Sequence, residues 1–470
     1  MYKERKMNLK LLPKLVIFSM VSILLSGSVA NIFYVGSDNA NIQFKKLDNG
    51  FDVQNSFKPH VVVALLDSGI NVYHEVFRRW NETIHPSHYI EGFPEDVKAV
   101  NLTLGDDWQS DYEKDKETWK SLQKKKLYWF SHTNIIAISF GQSTWYGREG
   151  PGDIILDDNG HGTSTSSIIA QINPNATILM VEVGANKLKE ALSWVVNQSW
   201  IDIIDIEFGV WYKPRLFFWT TVWWKGLEDI TKRGVENGKI IVTGAGNRPW
   251  INPWLSYVSG PPWVLCTGGA EGYCHGISIS AAKGADYLSS FTQVTAYFQS
   301  TADYWPASGT SLSVPTVAGT ISSIILKVRQ ELNYNHGIKN GALIDLPEKG
   351  IKITNWDVRN VMNHTAVYWN KSDWSFYDWI LKWPYRNATF PPTGKPLPLW
   401  FKLLLRKGTL TVPVNPSAPW LQMGWGFVNE SIVDESVDVL LGRKEMPEKP
   451  EGAIKYMENI YHIRQKIWGT

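Results

Sequence analysis

The sequence predicts an α/β fold: a mostly parallel central sheet with helices on both faces, plus insertions. Short continuous apolar runs carry the sheet. Helical patterns between the runs carry the layers. Glycine-marked turns at the ends of the runs place polar residues at one edge of the sheet. The runs are Val61–Leu66, Thr177–Val183, Ile201–Ile206, Lys239–Ala245 and Trp263–Thr267. Strands without an outward polar face are buried on both sides, which is the habit of parallel sheets covered by helices. Leu188–Asn197 and Leu216–Asn237 read as two of the covering helices, the second with Trp219, Trp223 and Leu227 at four-residue spacing.

Two stretches break this rhythm. Asn101–Lys126 is rich in Asp, Glu and Lys and reads as an inserted, solvated region with room for one helix; the insertion is taken to extend over about 101–150. A second insertion, about 368–419, is rich in Pro and aromatics. The main body of the fold is expected to span 31–443. Residues 444–470 form a tail with an amphipathic helix bearing Met457, Ile460, Ile463 and Ile467 roughly on one face.

The composition narrows the function. The chain has 470 residues with 47 Lys+Arg against 45 Asp+Glu, and a net charge of +2 gives no reason to expect nucleic acid as a partner. At 44% hydrophobic and 20% charged it is a folded globular protein. Its 24 Trp could serve a polysaccharide-binding surface, but most lie in helical or strand patterns, where packing explains them. Two cysteines cannot make a disulfide scaffold; Cys266 and Cys274, around Gly268, Gly269 and Gly272, are either a hairpin-closing bridge or two buried thiols.

The first segment is an address. Lys3, Arg5, Lys6, Lys10 and Lys14 precede the apolar run Leu15–Leu25, and Ser28-Val29-Ala30 offers a cleavage site, so residues 1–30 are expected to be a signal peptide. The competing reading is an uncleaved membrane anchor reaching about Val35. Either leaves the body secreted or at the cell surface. Eight sequons, at Asn81, Asn101, Asn175, Asn197, Asn363, Asn370, Asn387 and Asn429, fit a glycoprotein.

Four segments carry the chemistry. Val61–Leu66 runs into Asp67-Ser68-Gly69, which sets a carboxylate at the sheet's carboxyl edge; alone it reads as a strand-to-turn cap. Asn159-Gly160-His161-Gly162-Thr163 leads into the small-residue run Ser166–Ala170, suited to a helix buried at close range. Asp157-Asp158-Asn159-Gly160 lacks the remaining ligand spacing of a calcium loop and reads as a turn. Gly244-Ala245-Gly246-Asn247 ends a strand in a residue that is either a turn former or an amide donor for an oxyanion. In Gly309-Thr310-Ser311-Leu312-Ser313-Val314-Pro315 the proline belongs in a first helical turn, so a helix begins near Ser311. Each alone has an ordinary structural explanation. Together they supply a nucleophile, a base, an acid to hold the base, and an oxyanion donor, in the chain order Asp, His, Ser.

These motifs resemble those of the subtilisin-like serine proteases. Leu312 and Ser313 stand where Met and Ala are usual. Trp356-Asp357-Val358-Arg359 is similar to a late helix of the family, and Gly424-Trp425-Gly426-Phe427-Val428-Asn429 to its closing segment. The resemblance implies a serine endopeptidase acting on protein or peptide substrates. In it, Asp67 orients His161, His161 is general base and acid, and Ser311 attacks the carbonyl. It places Asn247 and the Ser311 amide at the oxyanion, substrate backbone along Glu207-Phe208-Gly209, and Gly244-Ala245-Gly246 as a wall of the specificity pocket. The family often binds calcium, but no loop with convincing ligands is present and no cofactor is expected.

The chain departs from the family in places. The 94-position gap between Asp67 and His161 holds the charged insertion, which would overhang the cleft or decorate the surface. On the second reading, deleting Asp106–Lys126 should spare activity on small peptides. Glu207 stands where a small polar residue is usual; it is expected to disfavour acidic substrate side chains and to help keep His161 charged at mildly acidic pH, unless it points to solvent. Ala30 and Asp67 leave no room for the folding pro-domain that members commonly carry. A secreted pseudoprotease that kept the fold as a binding or scaffold protein is the alternative to an active enzyme.

Overall fold

In the computed structural model the chain divides into two units, Met1–Asn31 and Ile32–Thr470, and only the second contains described residues. The structure describes residues 58–79, 84–141, 153–208, 226–247, 255, 258–270, 285–290, 292–368, 389–390, 395–396 and 417–469. The expected signal segment, Gly209, Trp219, Trp223, Cys274, most of the second insertion and the sequons at Asn81, Asn370 and Asn387 lie outside them.

A nine-stranded sheet runs through the body in the order β2-β3-β4-β5-β1-β6-β7-β8-β9. Its members are β1 (Val62–Asp67), β2 (Lys98–Val100), β3 (Leu127–Phe130), β4 (Ile135–Gly141), β5 (Thr177–Val183), β6 (Ile203–Ile206), β7 (Ile240–Gly244), β8 (Leu265–Ala270) and β9 (Tyr287–Ser290). Seven neighbouring pairs are parallel and one, β3 with β4, is antiparallel. All five strands expected from apolar runs are therefore present and central.

The double burial is visible residue by residue in β1. Val63 and Leu65 join one apolar cluster, Val62, Ala64 and Leu66 the other. Successive side chains of a strand point to opposite faces, so a strand with no polar position needs cover on both. Cover comes from α2 (His161–Ile172) and α5 (Thr310–Leu332) on the first face. On the second it comes from α3 (Leu188–Val196) and α4 (Leu227–Glu236). The α5 helix is long and apolar enough to cross a membrane, yet most of it is enclosed by the fold, and it is the core helix. Each fully buried aliphatic side chain contributes about 1.5–3 kcal/mol.

The far end of α5 is tied to the sheet by a buried ion pair. Arg329 Nη2 lies 2.7 Å from Asp202 Oδ1, and Asp202 Oδ2 accepts the Val62 N–H at 2.9 Å. Arg329 also donates to the His60 and Leu343 carbonyls. One residue thus joins the core helix to the entries of both β1 and β6.

The charged 101–126 stretch is not solvated decoration. It forms α1 (Trp108–Ser121), started by Asp107, whose side chain accepts the Ser110 N–H. Trp119 is 1% exposed and donates from Nε1 to the Tyr73 hydroxyl at 2.7 Å, while that hydroxyl donates to Asp115. Trp108, Tyr112, Asp115 and Trp119 share one face at helical spacing, and Glu113, Lys114, Glu117 and Lys120 are exposed on the other. The 127–141 part of the same insertion supplies β3 and β4 to the main sheet. Deletion of Asp106–Lys126 would strip cover from the core next to the turn after Asp67, so the expected tolerance is withdrawn.

The tail forms α9 (Glu451–Trp468), preceded by α6 (Asn355–Thr365), the short α7 (Trp420–Met423) and α8 (Val433–Leu440). Its inner face differs from the expected one. Ala453, Met457, Ile460 and Arg464 are buried, whereas Ile463 and Ile467 are exposed. A buried arginine takes the place that an apolar pattern assigns to isoleucine, because Arg464 is neutralised by Asp286 at 2.9 Å and donates to the Gly260, Ser259, Pro261 and Val264 carbonyls.

Two surface expectations also resolve. Cys266 is a buried free thiol. Asn363 is buried and accepts a hydrogen bond from the Tyr287 hydroxyl, so that sequon is no acceptor in the folded chain, while Asn101, Asn175 and Asn197 are exposed.

Candidate active site

The chemistry-bearing residues gather at the carboxyl edge of the sheet. Asp67 is the last residue of β1, and Glu207 follows β6. Gly244 ends β7, with Ala245, Gly246 and Asn247 beyond it. His161 opens α2 and Ser311 lies in the first turn of α5. Parallel strands crossed by helices end where the next helices begin, which concentrates helix N-termini and strand ends in one place.

Asp67 and His161 are paired closely. His161 Nδ1 lies 2.8 Å from Asp67 Oδ1 and 2.9 Å from Oδ2. A neutral imidazole that donates from Nδ1 carries its lone pair on Nε2. Asp67 is held in turn by the Ser68 N–H on Oδ1 and the Thr165 hydroxyl on Oδ2. Burial works to lower the His161 pKa, but the charge and hydrogen bond of Asp67, with Asp157 and Asp205 beyond, outweigh it and raise it above the ordinary value.

The approach of α2 to β1 depends on glycine. A Cβ at Gly162 would overlap the Gly69 carbonyl, and one at Gly69, whose φ is +134°, would press on the Ile155 carbonyl. The turn before His161 is organised by Asp157. Its Oδ1 accepts from the Ser68 hydroxyl and from the Asn159 and Gly160 N–H groups, and its Oδ2 from the Thr163 N–H and hydroxyl. Those bonds occupy the Asp157 carboxylate, which organises Asp157–Gly160 as the turn that leads into α2.

Asn247 is anchored on its oxygen side. Its Oδ1 accepts from the Thr310 N–H and from the Thr310 hydroxyl, both at 2.8 Å. The Nδ2 side lies next to Gly309, at the neck of the Ser311 turn. An amide whose oxygen is used in this way presents its N–H donors elsewhere. Ser313 and Leu312, unusual at their positions, are both accommodated: Leu312 is buried, and the Ser313 hydroxyl donates to the Ser290 carbonyl at 2.9 Å. The closing segment is threaded beside them, with the Leu288 N–H on the Gly426 carbonyl and the Val428 N–H on the Leu288 carbonyl.

Glu207 does not point to solvent. One ligand-capable atom each of Asp67, His161 and Glu207 lies within 4.8 Å of the others. Ser311 and Asp205 lie close enough to its carboxyl to influence its ionisation. Burial first, then the charges of Asp205 and Asp67, push the Glu207 carboxyl well above its usual range. Asp205 is wholly buried on β6 and is likewise raised, by burial and then by the Asp67 charge. Three such groups could in principle surround a cation. Asp67, however, has each oxygen occupied by two hydrogen bonds, which leaves acid–base chemistry as the fitting use. Phe208 packs against the second core cluster, and Ala245 is buried.

Sequence reasoning missed Asp205, Thr165 and Thr310. The signal for Asp205 was present: one carboxylate inside Ile203-Ile204-Asp205-Ile206 has no solvent to face. Thr165 and Thr310 read as ordinary helix residues and gave none.

No curated protein matches this chain. Solved structures that it resembles include the prenylagaramide maturation protease PagA, at 16% identity over 68% of this chain and 87% of that one, TM-score 0.38. The self-cleaved protease domain of PatA matches at 15% identity over 82% and 98%, TM-score 0.40. A cold-adapted subtilisin-like serine proteinase matches at 16% over 60% and 80%, TM-score 0.31. The model of the subtilase family, peptidase S8, matches residues 58–376, well over half of the sequence, and this chain belongs to that family of serine peptidases.

Proposed function

We propose that the protein is an exported serine endopeptidase that hydrolyses peptide bonds through an acyl-enzyme on Ser311. The observation that carries this reading is the Asp67–His161 pair at 2.8 Å, with Ser311 in the first turn of α5 at the same edge of the sheet. His161 Nε2 takes the Ser311 proton as Oγ attacks the scissile carbonyl. Asp67 holds the tautomer and offsets the imidazolium charge. The Asn247 side chain and the Ser311 N–H receive the oxyanion, and the imidazolium returns the proton to the departing amine. Water then repeats the sequence on the ester. Substrate backbone lies along Glu207, Phe208 and Gly209, with Gly244, Ala245 and Gly246 opposite.

Export rests on the basic and apolar start of the chain and on the exposed sequons at Asn101, Asn175 and Asn197. N-terminal sequencing of the secreted protein should begin after Ala30; an intact Met1 in a membrane fraction contradicts cleavage. The enzymatic reading is tested by incubating wild type and Ser311→Ala with unfolded casein and mapping the cuts by mass spectrometry. Cuts by wild type alone support it. Equal digestion by both removes Ser311 from the reaction. A folded wild type that neither cuts nor reacts with an active-site serine phosphonate is a pseudoprotease.

A further inference from the structure

The Asp67–His161 contact joins the end of β1 to the start of α2, two elements whose contacting residues lie 94 positions apart. Something must hold the helix in that place. Asp157, which the proposed reaction does not use, is wholly buried in the turn before His161 and takes five hydrogen bonds. Its Oδ1 accepts the Ser68 hydroxyl at 3.1 Å and the Asn159 and Gly160 N–H groups at 3.2 and 3.1 Å. Its Oδ2 accepts the Thr163 N–H at 2.8 Å and the Thr163 hydroxyl at 2.7 Å. Ser68 is the neighbour of Asp67, and its Oγ also accepts the Gly162 N–H at 3.0 Å. Asn159, held by Asp157, accepts the His161 N–H on its own Oδ1 at 2.9 Å. Main-chain groups on both sides of His161 are thereby tied, through one carboxylate, to the residue after Asp67.

All five contacts bring donors. The Ser68 and Thr163 oxygens already accept main-chain N–H groups, from Gly162 and Asn71, so their own hydrogens are directed at Asp157. A protonated Asp157 would turn its O–H onto one of these donors. Burial lifts its carboxyl above the ordinary value against the pull of the Thr163 bonds, and the donor set keeps it charged at neutral pH. His161 opens α2, and a helix N-terminus is its positive end. That is an unfavourable place for a ring that has to become a cation. A carboxylate bonded to the Thr163 N–H, in the first turn, offsets it. We infer that Asp157 is a positioning residue: through Ser68 and the α2 turn it fixes the His161 ring against Asp67, and its charge supports the imidazolium formed as Ser311 attacks. The inference deepens, and rests on, the reading of His161 as the general base for Ser311.

Among the described residues, the other titratable groups that face His161 are Asp67 from β1, Asp205 from β6 and Glu207 after it. Asp157 in turn faces Asp67, and Glu182 from β5 faces both Asp157 and Asp158. None of these partners is altered in the Asp157 and Ser68 variants, so a change at His161 reports on the strap. Asp157→Asn keeps the shape and one accepting oxygen. Its other side becomes an NH2 group that meets main-chain donors whichever way the amide is turned, since both oxygens now receive N–H groups. Ser68→Ala breaks the tie to β1 and leaves the charge in place.

The test separates position from charge, and both from stability. Wild type, Asp157→Asn and Ser68→Ala are assayed for kcat and KM on one peptide substrate across pH. The His161 imidazole is titrated in each by NMR, with its resonance assigned from His161→Gln. Asp157→Asn should lose about 10²-fold in kcat with KM little changed, the size that a small misplacement of a reacting group costs. Its acid limb of kcat/KM, and the imidazole titration with it, should move to lower pH, because the imidazolium has lost a supporting charge. Ser68→Ala should lose about tenfold or less in kcat, in line with one neutral hydrogen bond, with the limb unmoved. Asp157→Asn with wild-type kcat or an unmoved limb, whatever its melting temperature, overturns the inference. So does a limb that moves up, or a Ser68→Ala limb that moves as far as that of Asp157→Asn. Should Asp157→Asn not fold, Ser68→Ala and Thr163→Val carry the test: each should lower kcat without moving the limb, and wild-type kcat in both overturns the inference. If Ser311→Ala cleaves as fast as wild type, the nucleophile reading itself has failed. The imidazole titration needs no turnover, and an unmoved His161 in Asp157→Asn then overturns the inference on its own.

Discussion

The side-chain oxygen of Asn247 accepts two hydrogen bonds from Thr310, one from the main chain and one from the hydroxyl, each 2.8 Å long. The residue before the proposed nucleophile thus sets the amide that would receive the oxyanion. Removal of an oxyanion donor typically costs ~10²–10³ in kcat. Asn247→Leu should show that loss with KM little changed. Thr310→Val keeps the N–H bond and removes the hydroxyl bond, so kcat should drop roughly tenfold or less, in line with one neutral hydrogen bond. Steady-state kinetics on one peptide substrate separates the two. A Thr310→Val effect confined to KM would place Thr310 in substrate binding instead.

Asp67 is the acid of the pair, and its charge outweighs burial in setting His161. Asp67→Asn preserves the shape but keeps only one of the two oxygens that accept from Ser68 and Thr165, and it turns an N–H toward Nδ1, which favours the wrong tautomer. A loss of about 10³–10⁴ in kcat is expected. The acid limb should also move to lower pH. The imidazolium is stabilised by a charge that is now gone, so neutral His161 persists further into acid. An unchanged limb with reduced kcat would show that Asp67 only orients the ring.

The parts of this arrangement that were legible in the sequence are those where one residue type has one physical use. Continuous apolar strands had to be doubly covered, and Gly162 had to sit where two backbones nearly touch. Pro315 pointed to a helix start near Ser311, and the helix does begin at Thr310, but Pro315 lies inside it, one turn later than expected. What stayed hidden depended on partners far along the chain. Trp119 and Tyr112 were masked by the Asp, Glu and Lys around them, and only Tyr73, 46 positions away, reveals the buried face. Arg464 looked like a surface residue because its counter-ion, Asp286, is 178 positions off. Glu207 was singled out, but Asp205 was not, although a lone carboxylate inside an apolar strand already marked it.

Glu182 offers a stability test. It lies on β5 beside Asp67 in the sheet register, and its Oε2 accepts the Ile155 N–H at 2.8 Å. Ile155, in the segment before the Asp157 turn, has φ +73°, a conformation that a β-branched residue resists, and that hydrogen bond helps hold it. Burial pushes the Glu182 carboxyl up to about 7. A raised carboxyl favours the folded state only while protonated. Its cost is absent below the unfolded value and grows as pH rises toward the folded one, reaching about 3 kcal/mol at neutral pH. Glu182→Gln keeps the acceptor and removes the ionisation. The variant should match wild type in urea melts near pH 4 and be more stable at pH 7 to 8. A variant weaker at both pH values would mean that the carboxyl's proton, not its oxygen, holds the loop.

The tail reaches the cleft indirectly, and that route can be cut. Arg464 on α9 donates to the carbonyl of Ser259 at 3.2 Å, and the Ser259 hydroxyl donates to the carbonyl of Gly244 at 2.8 Å, at the end of β7 where the proposed pocket wall begins. Asp286, which neutralises Arg464, also binds Arg359 at 2.9 Å and accepts the Cys266 N–H. Its carboxyl is held below the usual range; burial works upward, but Arg464 and Arg359 outweigh it. Arg464→Met removes one charge from a buried set, and such losses cost about 3–5 kcal/mol. The denaturation midpoint should fall accordingly. In the fraction that stays folded, KM should rise more than kcat falls, because Ser259 and Gly244 would shape the proposed pocket while Asp67, His161 and Asn247 are held by other elements. A proportionate fall in kcat with KM unchanged would show instead that the tail supports the nucleophile's helix.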